Sequence, residues 1–215
     1  MAAFIIPKIR IYTHKGALMR IRRKDKVMKT ILIANQKGGC GKTMIADTIA
    51  TAFELDEVNT NFIDLDQQGG CIHEMKIDED ASVQVIDTPG ALQPGLKDWI
   101  NDADYVIIPT LMSTSDFQPL ENTLEVYNKC EKKPPLLVVF NRWDRTNNTK
   151  EYIEAFEEIH PEINTVVVSE TVAFKDASKR GLSIEQYKPR CKAAQQMREI
   201  YSLVKHELKI KEGYR

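Results

Sequence analysis

The residues best suited to chemistry form a glycine-rich stretch between an apolar segment and a helix-like one. Gln36 to Thr43 reads QKGGCGKT. Its glycines let the backbone turn tightly and direct N–H groups at phosphate oxygens, and the following helix adds its positive N-terminal end. Lys42 can reach the outer phosphates of a nucleotide, and the Thr43 hydroxyl can bind Mg²⁺. The stretch predicts a nucleoside triphosphate site formed by Lys37, Gly38, Gly39, Cys40, Gly41, Lys42, Thr43 and Met44.

Two acidic segments follow other apolar runs and predict the rest of this site. Phe62 to Gly69 reads FIDLDQQG, and Val85 to Gly90 reads VIDTPG. A carboxylate at the C-terminal end of a strand beside the phosphate loop is well placed to act at the phosphates. Asp87 is expected to hold Mg²⁺. Asp64 either supports the metal or is only a hydrogen-bonded residue at a strand end, and the sequence leaves both interpretations open.

Apolar runs alternate with helix-like segments along the chain. Short runs rich in β-branched residues suit a parallel sheet covered on both faces. The predicted strands are 30–35, 61–65, 83–86, 105–108, 136–140 and 165–168. The predicted helices are 44–55, 117–132, 150–159 and 191–208, and Asp116 is the expected N-cap of the second. The pattern implies an α/β fold, a doubly wound, mostly parallel sheet flanked by helices.

Length and composition fit one folded domain. The chain has 215 residues, 42% of them hydrophobic and 28% charged, which is typical of a globular protein with one sizeable core. No apolar run approaches the ~20 residues that cross a bilayer, and we see no signal peptide. The four cysteines lack metal-binding spacing. We therefore expect free thiols and a cytoplasmic protein.

The net charge of −1 conceals two segments of opposite sign. Residues 1–29 carry nine Lys and Arg against one Asp, whereas the rest carries thirty acidic and twenty-one basic residues. A basic arm on an acidic body suggests contact with a polyanion. Alternatively, the arm precedes the natural start, because Met28 stands directly before the first strand and terminal segments are often dispensable. We expect a basic extension, 1–28, and a nucleotide-binding domain, 29–215.

The phosphate loop resembles that of the deviant Walker A family, which includes ParA partition ATPases, MinD and the nitrogenase iron protein. It reads KGGCGKT, with a second lysine, Lys37, ahead of Lys42. The resemblance implies ATP as the nucleotide, Mg²⁺ as the cofactor and an ATPase that is weak without a partner. It also implies an ATP-dependent homodimer in which Lys37 crosses the interface to the other subunit's nucleotide.

Three further stretches resemble this family in order. FIDLDQQG is similar to the ParA segment DxDPQG, so Asp66 would position the attacking water, although Gln67 stands where proline is usual. VIDTPG is similar to the strand and switch loop that hold Mg²⁺ through Asp87. Asn141 follows the LLVVF strand, where the family's asparagine reads adenine; a strand-end asparagine that only closes a turn is the other interpretation. The resemblance implies that the catalytic residues are Lys37, Lys42 and Asp66.

Within this family the sequence is most similar to small, single-domain ParA proteins. The likeness covers residues 29–208 and includes ParA-like wording at 111–120 and 169–183. Only 21 positions separate Asp66 from Asp87, a shorter interval than the family usually has. Iron–sulfur relatives need cysteine motifs that the sequence lacks. A MinD-like membrane helix is not expected, because the apolar stripe of 200–210 is more typical of a helix packed on the core.

The ParA resemblance implies a nucleoid-associated switch. The ATP-bound dimer would bind DNA non-specifically, and a centromere-binding ParB-like partner would stimulate hydrolysis and release. Such binding needs a basic surface, and residues 175–198 carry seven positive charges against two negative ones. The other interpretation of that segment is a solvated helix face. The alternative function is a MinD-like positioning ATPase, which would act at a membrane or on a protein cargo without binding DNA. The candidate DNA contacts are Lys175, Lys179, Arg180, Lys188, Arg190 and Lys192.

Overall fold

The structure, a computed structural model, describes residues 28–65, 76–90 and 95–210. Residues 1–27 of the basic arm, Asp66 and Cys71 lie outside the described residues. The strands are β1 (Lys29–Ile33), β2 (Thr60–Asp64), β3 (Val83–Asp87), β4 (Tyr105–Thr110), β5 (Leu136–Trp143) and β6 (Asn164–Ser169). The helices are α1 (Lys42–Leu55), α2 (Leu96–Asp102), α3 (Thr114–Asn128), α4 (Asn147–Ile159), α5 (Ala173–Ser178), α6 (Ile184–Tyr187) and α7 (Lys192–Glu207).

The strands form one parallel sheet in the order β2-β3-β1-β4-β5-β6. This confirms the predicted α/β fold, and every predicted strand is present within three residues of its expected bounds. The four predicted helices are also present. The sequence analysis missed α2, α5 and α6, because helices of four to seven residues are too short to show a helical period.

Helices cover both faces of the sheet, as the continuous apolar strands predicted. On one face α1 and α7 bury Ile49 and Ile200 against the strands. On the other face α2, α3 and α4 bury Trp99, Leu124 and Phe156. Burial of each such large side chain contributes about 1.5–3 kcal/mol. The two layers hold the strand ends, and hence the loops that follow them, in fixed positions.

The centre of the sheet is the point at which the strand order reverses. After β1 the chain forms β2 and β3 on one side and then crosses to β4, β5 and β6 on the other. In open α/β sheets, ligands bind at the carboxyl ends of the strands beside such a point. The glycine-rich loop directly follows β1, so the topology places it at this position.

Helix α3 begins earlier than the sequence analysis expected, and its N-cap is Ser113 instead of Asp116. Asp116 is the third residue of the helix, and its Oδ2 accepts hydrogen bonds from the Ser113 backbone N–H, at 3.1 Å, and from the Ser113 hydroxyl. This is a capping box, in which the two residues satisfy each other's polar groups. The Ser-x-x-Asp spacing was the sequence signal for it.

Helix α7 carries the apolar stripe considered above as a possible membrane contact. Ile200 and Val204 are fully buried, and Leu208 is 7% exposed. These residues pack with β6 and α1, so this part of the stripe belongs to the core, as expected, whereas Leu203 is 40% exposed. None of the helices in the described ranges is long and apolar enough to cross a membrane.

Candidate nucleotide-binding site

The loop between β1 and α1 turns through left-handed backbone. Gly39 and Gly41 have φ of 76° and 98°, values that residues with a Cβ rarely adopt. Gly41 is the N-cap of α1, so the loop leads straight into a helix end whose backbone N–H groups lack intrahelical acceptors. Both features match the predicted phosphate cradle.

Lys42 lies inside this loop and is 5% exposed. Its ammonium donates to the Lys37 carbonyl oxygen at 2.8 Å and lies 3.9 Å from Cys40 Sγ. Within the described ranges no carboxylate lies at ion-pair distance from it. A buried ammonium without an anionic partner is costly. The chemistry of the loop therefore fits an anionic ligand such as phosphate.

Two predicted metal ligands, Asp64 and Asp87, end the adjacent strands β2 and β3, and the third, Thr43, lies in the first turn of α1. The Thr43 hydroxyl donates to Asp87 Oδ2 at 2.6 Å, and Asp87 is fully buried at the end of β3. Asp64 is the register partner of Asp87 on β2. Mg²⁺ takes hydroxyl and carboxylate oxygens while keeping water and phosphate oxygens, so Thr43 and Asp87 fit the ion. Bound there, it would neutralise charge on the phosphates.

The turn that follows β3 touches the phosphate loop. A Cβ added to Gly90 would lie 2.7 Å from Gly38 Cα, 2.9 Å from Gly38 N and 3.2 Å from Lys42 Nζ. Only glycine allows this approach, since the first two of these atoms are backbone. The predicted switch turn is thus in direct contact with the loop that would hold the phosphates.

Lys37 binds residues of its own chain in this structure. Its ammonium forms an ion pair with Asp116 and donates to the Ser115 hydroxyl and carbonyl oxygens at 2.9 and 3.1 Å. Asp116 is 1% exposed, whereas the Lys37 side chain is 27% exposed. The predicted role of Lys37 across a dimer interface therefore requires it to leave α3. Sequence analysis missed this anchoring role of Asp116.

Asn141 is bound to the back of the phosphate loop. Its Nδ2 donates to the Cys40 carbonyl oxygen at 3.0 Å, and its Oδ1 accepts from the Arg142 backbone N–H at 2.9 Å. The side chain is 2% exposed and lies so close to Gly41 that a Cβ there would overlap it. The role of Asn141 in reading adenine stays a prediction; the structure shows that it fastens the loop to β5.

A cavity of about 280 Å³ extends from the phosphate loop toward α5 and α6. Met44 and Arg142 line it beyond Thr43. Its far wall comes from the segment after β6 and consists of Phe174, Ala177, Ser178, Leu182, Ser183 and Ile184. Sequence analysis had assigned this segment to DNA and had not used Arg142. The cavity is placed to hold the base and ribose of a nucleotide whose phosphates occupy the loop.

Three of the six candidate DNA contacts, Lys175, Lys179 and Arg180, lie within the segment that forms this wall, and the other three follow it in the chain. Lys175 is in α5, Lys192 begins α7, and the others lie in the turns that follow α5 and α6. All six are exposed. Asp66, the predicted water-positioning residue, lies outside the described residues, and its role stays a prediction.

We expect Cys40 to be unreactive at neutral pH. Burial raises the pKa of its thiol above the ordinary value of 9.0, and the nearby charge of Lys42 acts in the opposite direction. Because the thiolate is the nucleophile, alkylation of Cys40 by iodoacetamide should keep accelerating above pH ~9. Mass spectrometry of the Cys40 peptide, followed from pH ~7 to ~10, measures this. A rate that levels off below pH ~9 would contradict it.

Known proteins share both the sequence and the fold of this chain. Residues 31–184 match the family model described as the CobQ/CobB/MinD/ParA nucleotide binding domain. The maintenance of carboxysome distribution protein A of Halothiobacillus neapolitanus is 25% identical over 196 residues, which cover 77% of this chain and 90% of that protein.

Two solved structures show the same fold. The ATP complex of a Cyanothece McdA variant has a TM-score of 0.71 at 20% identity, over 87% of this chain and 99% of that one. A protein of Borrelia burgdorferi B31 described as a plasmid partition protein, bound to AMPPNP, has a TM-score of 0.62 at 19% identity, over 82% and 99%. At this identity the likeness shows the fold alone.

The family match spans more than half of the chain and includes the phosphate loop, Asp87 and Asn141. Members of this family are ATPases that use ATP with Mg²⁺. The buried cation of Lys42 fits a phosphate ligand, and the paired oxygens of Thr43 and Asp87 fit Mg²⁺. The chain therefore belongs to the CobQ/CobB/MinD/ParA nucleotide-binding family and is an ATPase.

Proposed function

We propose that this chain is a DNA-binding partition ATPase. ATP and Mg²⁺ join two copies through Lys37, and the homodimer binds DNA without sequence preference. Hydrolysis, stimulated by a centromere-binding ParB-like partner, then releases the DNA. The protein acts in the cytoplasm on the nucleoid. The observation that carries the proposal is a set of exposed cations, which lie within and directly after the segment that lines the nucleotide cavity.

The basic surface comprises Lys175, Lys179, Arg180, Lys188, Arg190 and Lys192. Exposed cations attract the phosphate backbone of DNA whatever the base sequence. Arg198, which is close in sequence, does not belong to it, because Glu185 accepts from Arg198 Nη1 at 2.6 and 2.5 Å. The guanidinium of Arg180 lies 5.1 Å from the Tyr187 ring centroid, which fixes its position on the surface.

A bound nucleotide can change the arrangement of this surface, because the segment of α5 and α6 lines the nucleotide cavity and also carries part of the basic surface. Ala177 and Ile184 line the cavity and are buried, whereas Lys175 and Lys179 on the same segment are exposed. A ligand shifts a conformational equilibrium only by its differential contacts with the two states. Contacts between the nucleotide and this cavity wall would differ between the two states in this way. Dimerisation would also raise the affinity for DNA, since it doubles the number of cations that face the DNA.

A second candidate function is a positioning ATPase that acts on a protein cargo or a membrane without DNA. The observation that favours it is the similarity to a protein that is named for the maintenance of carboxysome distribution. In this alternative the exposed cations of 175–192 are a solvated helix face. The two candidates differ in one measurable property, which is ATP-dependent affinity for duplex DNA.

We expect the variant Lys188→Ala/Arg190→Ala/Lys192→Ala to lose most DNA affinity of the ATP-bound protein. Each phosphate contact adds about −0.9 to the slope of log K against log salt. Removal of three contacts per subunit should therefore make the slope less steep by about 3 per subunit. Fluorescence anisotropy with a random-sequence duplex, across a salt series with ATP, with ADP and without nucleotide, measures both quantities.

A matched control removes three exposed lysines elsewhere, Lys97, Lys133 and Lys150, and should retain affinity and slope. Both proteins keep the full chain, so the basic arm contributes equally to each. Lys37→Ala should abolish the ATP-dependent part of binding. If both triple variants lose the same DNA affinity, net charge alone sets DNA binding. If the protein binds no DNA under any nucleotide condition while its ATPase activity is intact, the second candidate is favoured.

A further inference from the structure

The end of β5 is irregular at one residue beside the nucleotide cavity. Pairing between β5 and β6 shifts register between Asn141 and Trp143. Arg142, the residue between them, has φ of 58°, which is uncommon for a long side chain and costs conformational energy. Bulges of this kind redirect side chains next to active sites. The backbone here is held in a strained conformation that takes Arg142 out of the sheet pattern.

The side chain of Arg142 lies at the cavity without an acidic partner. It is exposed, it lines the cavity with Met44 and Phe174, and no ion pair to it occurs within the described ranges. Its neighbour Asn141 is committed to the back of the phosphate loop, through Cys40. The guanidinium is therefore the polar group of this strand end that is available to a ligand in the cavity.

We propose that Arg142 forms one wall of the base-binding end of the cavity, with its guanidinium plane packed on the purine. A guanidinium is planar and donor-only, and it stacks on aromatic faces. The lining also includes three apolar side chains, Met44, Phe174 and Leu182. A stacked guanidinium does not read the donor and acceptor pattern of a base edge. Arg142 thus adds affinity for purine nucleotides without distinguishing adenine from guanine.

The proposal rests on the ATP site and not on the proposed DNA function, so the test uses ADP and pyrophosphate. Both occupy the phosphate loop, but only ADP carries a base. We expect Arg142→Ala and Arg142→Gly to bind ADP about tenfold more weakly and pyrophosphate unchanged, as measured by calorimetry and by competition with a fluorescent ADP. Arg142→Gly also tolerates the left-handed backbone, which keeps the test valid if alanine perturbs folding.

Three further comparisons make the test specific. Arg145→Ala is the matched control, because Arg145 also has a left-handed φ, of 66°, but packs over Trp143 at 5.6 Å and does not line the cavity; it should bind ADP normally. Arg142→Lys should resemble Arg142→Ala, since lysine keeps the charge and loses the plane. The affinity of Arg142→Ala for GDP should fall by the same factor as its affinity for ADP.

Other outcomes overturn the proposal. Equal weakening of pyrophosphate and ADP would place Arg142 at the phosphates, and full rescue by lysine would make the contribution one of charge. Unchanged ADP affinity would leave Arg142 without a role in the cavity. Asn141→Ala should weaken both ligands, because it loosens the phosphate loop; loss of ADP binding alone would make Asn141 the base contact instead.

Discussion

Replacement of Lys42 by alanine is expected to weaken ATP binding by about 10²- to 10⁴-fold while the chain remains folded. A hydrogen bond to a charged group contributes about 1.5–3 kcal/mol, and each 1.4 kcal/mol is about tenfold in affinity. The ammonium can donate to two phosphate oxygens, so its loss removes roughly two such bonds. Calorimetric titration with ATP and Mg²⁺ measures the change.

The stability of the same variant provides a second, independent readout. Lys42 is buried, and its ammonium lacks a carboxylate partner within the described part of the chain. Removal of a buried cation that nothing neutralises should therefore leave the melting temperature without nucleotide unchanged or higher. Lys129→Ala is the control, because the Lys129 side chain is 70% exposed and forms a surface ion pair with Glu125; neither affinity nor stability should change measurably. Strong destabilisation of Lys42→Ala would show a structural role for the lysine instead.

The strands and the phosphate loop could be predicted because their physical causes are local. β1 and β4 read as continuous apolar runs since they are covered on both faces. The glycines of the loop identify it in the sequence, and two of them, Gly39 and Gly41, adopt a left-handed backbone conformation. Thr43 and Asp87 were predicted separately, and the parallel register of the sheet brings them to 2.6 Å.

Contacts between distant segments could not be predicted in the same way. The partner of Lys37 is Asp116, 79 positions away, and the sequence suggested only a helix cap for that carboxylate. The position of Asn141 behind Gly41 depends on how β5 packs against the loop, which no local pattern encodes. Arg142 reaches the cavity through a bulge, and its sequence environment is that of an ordinary strand end. The contacts of these residues at the site are therefore set by tertiary packing and not by the local sequence pattern.

Gly90→Ala is expected to lower the rate of ATP hydrolysis about 100-fold while ADP affinity changes only a few-fold. The added methyl would lie 2.7 Å from Gly38 Cα and 2.9 Å from Gly38 N. Neither backbone atom can yield cheaply, so the turn after β3 must move away from the phosphate loop, at a cost of about 1–3 kcal/mol in stability. A displacement of about 1 Å near the reacting groups can cost about 10²-fold in rate. Phosphate-release kinetics and calorimetry with ADP separate the two effects.

Gly38→Ala is the matched control for stability, since a Cβ at that position meets no atom within 4 Å. It adds the same methyl to the other residue of this pair, but into open space, and should leave the melting temperature nearly unchanged. If Gly90→Ala hydrolyses ATP and unfolds like the natural chain, the turn does not need its close approach to Gly38. If it loses hydrolysis and keeps ADP binding, the contact between Gly90 and Gly38 is what couples the end of β3 to the phosphates.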